Sequence, residues 1–174
     1  MANTNAPFGL RVLHPVGSPP THELMEVKVA YNDTTKIFTG DPVKWLSTGY
    51  VAQWTASTAV SQLAGIFMGC RYLSTSQGRI VNNNYWPGSD VASDQVVTAL
   101  ILPLNLSVPV EFAIQTDSTG VAFADIGQNC DIALGTGNER NGRSGAYLDT
   151  STKSTTATLP FRIIDLWGAG GRGN

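Results

Sequence analysis

The sequence predicts an all-β protein, a compact β-sandwich or β-barrel with an extended N-terminal arm and two long loops. Three features point there. Helical periodicity is almost absent, apolar and polar residues alternate in several short runs, and Gly, Pro, Ser and Thr punctuate the chain between them. With 174 residues and 42% hydrophobic content the chain can bury a real core, so a single domain is expected. The expected division is an arm over residues 1–23, a β domain over 24–168 and a flexible Gly-rich tail over 169–174.

Residues 1–11 run through small polar side chains into Pro7-Phe8-Gly9. They carry no basic region followed by an apolar stretch and no Arg-rich amphipathic pattern, so neither a secretory signal nor a transit peptide is expected. A segment this poor in apolar area cannot fold alone. It is expected to lie along a neighbouring chain, with Phe8 as anchor and Pro7 limiting the entropy lost on docking.

The first strand runs from Leu24 to Tyr31, with Met25, Val27, Val29 and Tyr31 on one face and Glu26 and Lys28 on the other. Thr39-Gly40-Asp41-Pro42 reads as a turn feeding a strand, with Gly40 free to take positive φ and Asp41 held extended before the proline. Further strands are expected at Pro42 to Leu46, Val51 to Thr55, Ile66 to Leu73, Val96 to Leu102, Glu111 to Asp117, Cys130 to Leu134 and Thr156 to Trp167. A short helix is expected around Ser57 to Leu63. The two long connections are Ser74 to Asp94, carrying Tyr85-Trp86-Pro87, and Gly135 to Thr155, rich in Gly and then Ser and Thr. Loops of this length are commonly interaction surfaces, and aromatic residues beside a proline suit an anchor.

Charged residues make up only 14% of the chain and the net charge is −2, so neither nucleic acid nor an anionic membrane is expected as a partner. The longest apolar region, Val96 to Ile114, is interrupted by Pro103, Asn105, Pro109 and Glu111 and cannot span a membrane as one helix. Cys70 and Cys130 form no zinc pattern, and their spacing leaves open whether they pair. The two histidines, His14 and His22, have no nucleophile in a recognisable elbow. Gly135 to Gly142 lacks the Lys-[Ser/Thr] of a phosphate loop, and the acidic residues form no calcium loop or glycosidase pair. No enzyme activity, cofactor or metal is expected. Arg79, Arg140 and Arg143 lie in loops, where they suit carboxylates on a partner.

The opening Met1-Ala-Asn-Thr-Asn-Ala-Pro-Phe-Gly-Leu-Arg11 resembles the start of a family of small tailed-bacteriophage structural proteins that decorate, cement or stabilise the head. The likeness continues at Gly17-Ser-Pro19, Gly40-Asp-Pro-Val43, Val110 to Gln115 and Asp125 to Asn129. It is densest over Gly142 to Asp149 and Thr155 to Leu166. Leu10 departs from the usual aromatic, and the Ser74 to Asp94 stretch is individual. The resemblance implies a non-enzymatic virion protein, made in the host cytoplasm, that binds the capsid exterior. Its partner would be the major capsid protein, bound by a homo-oligomer, a trimer being favoured over a dimer. The residues expected to bind partners are Pro7, Phe8, Arg11, Tyr85, Trp86, Arg140 and Arg143. Other virion roles (minor capsid protein, head-fibre base, tail-tube-like component) and a carbohydrate-binding β-sandwich using Tyr85 and Trp86 are the alternatives.

Overall fold

The computed structural model describes residues 6–15, 23–56, 59–104 and 110–166, without the side chains of His14 and Pro15. In chain order the strands are β1 (Arg11–Pro15), β2 (Met25–Val29), β3 (Ile37–Phe38), β4 (Pro42–Trp45), β5 (Val51–Gln53), β6 (Leu63–Ser74) and β7 (Arg79–Asn83). They continue with β8 (Tyr85–Trp86), β9 (Val97–Pro103), β10 (Val110–Ala113), β11 (Asn129–Ala133), β12 (Tyr147–Ser154) and β13 (Phe161–Arg162). Val60–Gln62 and Phe123–Asp125 are single 3-10 turns. The protein is all-β.

Five strands close a barrel in the order β4-β5-β2-β9-β6, with β6 returning to β4. The β2–β5 contact is parallel and the other four are antiparallel. Closure leaves these strands no free edge between them. The expected alternation is realised in the centre of β2, where Val27 and Val29 are buried and Glu26 and Lys28 exposed, while Met25 and Tyr31, expected on the buried face, are exposed. Val43, Val51, Phe67, Val97, Ala99 and Ile101 join them in the largest core cluster.

β6 explains why its sequence reads as a nearly continuous apolar run. Phe67 packs in the barrel core while Ile66, on the opposite face, packs with Leu102, Leu10, Ile132 and Ala146 in a second core. The ribbon β1–β10 and strand β11 cover that outer face. A third cluster, Cys130, Leu148 and Ile163, lies within the β12-β11-β13 sheet. Trp54, fully buried, ties the barrel to this layer, its Nε1–H donating to Asp131 Oδ1 at 3.2 Å.

Several expectations need correcting. The arm does not stay clear of the domain through residue 23. Leu10 is 5% exposed inside the second core, and β1 pairs with β10. Backbone pairing and one well-placed apolar side chain draw this segment in, although its composition is that of a tail. The Ser74 to Asp94 connection contains β7 and β8, and the second half of Gly135 to Thr155 is β12. Both stretches are polar because one face of each hairpin meets solvent, not because the backbone lacks partners. The helix expected around Ser57 to Leu63 is only the 3-10 turn at Val60–Gln62, residues 57–58 lying outside the described set. The strand expected over Thr156 to Trp167 contracts to Phe161–Arg162. The Gly-rich tail and His22 fall outside the described residues.

Candidate functional site

The turn Thr39–Pro42 is where distant parts of the chain converge. Gly40 takes φ +97°, and Asp41 enters β4 through Pro42 as the local sequence requires. The Asp41 carboxylate, 2% exposed, accepts from the Phe38 N–H and from Gln53 Nε2–H, both at 2.8 Å, and from the Ser144 hydroxyl at 2.5 Å. Burial pushes this carboxyl above the usual aspartate value, while hydrogen bonds from Phe38, Ser144 and Gln53 pull against it. Ser144 Oγ in turn accepts from the Ala146 N–H at 2.8 Å.

The N-terminal segment docks on this node. The Gly9 N–H donates to Ala146 O at 3.2 Å and the Leu10 N–H to Gly40 O at 2.9 Å. Gly9 has φ +76°, and a Cβ there would stand 2.5 Å from Ser144 Cβ and 2.8 Å from Gly40 O. Only glycine fits such an approach. Upstream, Pro7 and Phe8 are half-buried and Ala6 is exposed. The exposed Arg11 guanidinium lies 5.4 Å from the centre of the Phe8 ring, a cation–π contact that orients the pair.

The 135–146 loop lies alongside. Arg143 forms a parallel bridge with Thr39 and an antiparallel one with Asn138. The Arg140 and Arg143 N–H groups are taken by the Asn138 and Asn141 side chains, both at 3.0 Å, leaving two exposed arginines on a braced loop. Gly137 presses its backbone on the Phe38 ring, where a Cβ would meet ring carbons at 2.3 Å. Tyr85 stacks on the same ring, centroids 5.2 Å apart and planes 9° from parallel.

The structure thus brings Phe8, Arg11 and Arg143 to one node, with Tyr85 reaching it through Phe38. Trp86 is a correction: it is fully buried in the barrel core, edge-on to Tyr72, with its Nε1–H donating to Asp33 O at 3.0 Å. Strands alternate, so Tyr85 and Trp86 cannot both face outward. At the centre of the node, Asp41 reads in sequence as a turn residue and Ser144 as part of the Gly135 to Thr155 connection, and neither carries a sign of their contact across the fold. Phe123 is 81% exposed on a 3-10 turn, and an isolated Phe between alanines gives no signal of that exposure in sequence.

Cys70 and Cys130 are both free and buried, and they sit in different clusters. Among the described residues no group of His, Cys, Asp and Glu could hold a metal ion. Among the described residues no helix is long and apolar enough to cross a membrane. Comparison with protein-family models, with curated proteins and with solved structures finds no match for this chain.

Proposed function

We propose that this protein is a structural component of a tailed-bacteriophage virion, binding the capsid exterior and bridging neighbouring major capsid subunits. The observation that carries this reading is the meeting of three separate blocks of the family-like sequence at one node. Pro7 to Leu10, Gly40 to Val43 and Gly142 to Asp149 are far apart in the chain, yet Asp41, Ser144 and Gly9 touch. A node that anchors residues 9–10 gives the preceding residues a fixed point of departure, beside the strand-like pairing of Thr39 with Arg143. A protein that binds only the assembled lattice stabilises it by mass action, and several copies around an axis add avidity to weak single contacts. Carboxylates on capsid subunits are suitable partners for Arg140 and Arg143. The sugar-binding alternative loses its platform, because Trp86 is inside the core.

The test uses phage heads that lack the protein. The full chain should co-sediment with them and raise the temperature at which they release DNA. A chain without residues 2–6 keeps Gly9 and Leu10, so it should melt normally and bind much more weakly. Failure of the full chain to bind would overturn the proposal. Assembly of the isolated protein into rings or tubes would point instead to a tail-tube or minor capsid role.

A further inference from the structure

Among the described residues β7 is an edge strand whose one charged side chain is Arg79, at its first position. Among the described residues its one strand partner is β6. The ladder between them runs from Cys70↔Asn83 to Ser74↔Arg79 with no bulge. Edge strands are ordinarily blunted by lysine, proline, a bulge or a covering segment. The sequence of β7, Arg-Ile-Val-Asn-Asn, has no lysine or proline. Ile80 is 66% exposed, and Leu73, its cross-strand partner, is 40% exposed on the same face. Arg71 and Asn82 continue that face and are also exposed. Among the described residues the hairpin therefore presents a main-chain edge with no strand on it, beside an apolar pair.

We propose that β7 pairs antiparallel with β7 of a second copy of this chain, about a two-fold axis through Val81, so that the sheets of two barrels join. The strand is complementary to itself in this register. Centring on Val81 engages all five residues, sets Ile80 opposite Asn82 of the other copy and Arg79 opposite Asn83, and opposes no like charges. Centring on Arg79 would set two guanidinium groups face to face. The two-fold also places the Leu73–Ile80 pairs of the two copies diagonally adjacent, so each covers apolar area that is exposed in the single chain. A five-residue edge buries less than a standard interface, so the contact is a weak, concentration-dependent dimer. It draws on neither the Asp41 node nor the virion reading, and stands or falls separately.

The test is the mass of the full chain in solution, by sedimentation equilibrium over a wide concentration range. The average mass should climb from the 18.5 kDa of one chain toward twice that value. Ile80→Lys combined with Asn82→Lys sets lysines opposite each other and should weaken the dimer by about tenfold or more. Ile80→Lys combined with Asn82→Glu sets lysine opposite glutamate in this register and should restore it. Residues 80 and 82 are exposed but Asn82 lies opposite Arg71, so folding is compared at dilution, where the chains are single, and all three proteins should be folded there. The proposal is overturned if the wild-type chain stays at single-chain mass or grows beyond two copies. It is equally overturned if the Lys/Lys variant dimerises like wild type, or if the Lys/Glu variant fails to recover.

Discussion

Replacing Asp41 with Ala takes away an acceptor that serves three donors: the Phe38 N–H, Gln53 Nε2–H and the Ser144 hydroxyl. The Phe38 N–H is fixed by the chain and cannot turn to water, so orphaning it costs about 1–3 kcal/mol. Gln53 is half-buried and can swing toward solvent, and the Ser144 hydroxyl can rotate, so each adds a smaller amount. Part of the loss is offset, because the variant no longer buries a carboxyl that burial already disfavours in its charged form. The balance is about 2–3 kcal/mol, or a fall in melting temperature of roughly 4–12 °C for a chain of this size. Asp41→Asn keeps an acceptor toward Phe38 and should cost about 1 kcal/mol or less. Hydrogen exchange read at Gly9 and Leu10 distinguishes the node from a generic core defect, because their N–H groups bond to Ala146 O and Gly40 O. Asp41→Ala should speed both more than amides of the β2–β9 ladder. The raised pKa also sets a sign. The folded state holds this proton more tightly than the unfolded one, so its stabilising contribution is full below the ordinary aspartate range and is lost as pH rises through the folded value. A wild-type melting temperature with unchanged exchange at Gly9 and Leu10 would refute the role given to Asp41.

Trp86→Ala should behave as a core mutant, losing about 3–5 kcal/mol and melting early in calorimetry, since the indole is buried and hydrogen-bonded to Asp33 O. Asp117 should show the opposite pH dependence to Asp41. Burial pushes its carboxyl up, but hydrogen bonds from Thr150, Thr119 and Gly120 outweigh this and hold it below the usual value. Its contribution is therefore present at neutral pH and lost as pH falls through the folded value, and Asp117→Asn should flatten the acid limb of a urea-denaturation series. Neither cysteine should react with a thiol reagent in the native state. Both are buried, and burial pushes the Cys70 thiol up to about 12 and raises Cys130 as well. Labelling should appear only as denaturant unfolds the chain, and reducing agents should leave the melting temperature unchanged.

Local patterning determined the fold class and most of the strands. The alternation in β2, the Gly-Asp-Pro entry to β4 and the apolar runs of β6 and β9 are all properties of a few consecutive residues, which the backbone expresses wherever it lies. The same patterning does not distinguish a hairpin with one wet face from a polar loop, so the stretches that hold β7, β8 and β12 look like connections. Nor could it say which of Tyr85 and Trp86 faces the core, because alternation gives the period of a strand and not its phase. The tertiary structure decided that phase by offering Trp86 a buried site under Asp33. It also drew Gly9 and Leu10 out of the arm and into the domain, and it made a partner pair of Asp41 and Ser144. That contact joins residues 103 positions apart. No window of sequence contains both, and the free energy that brings them together comes from the barrel and the second core packing around them.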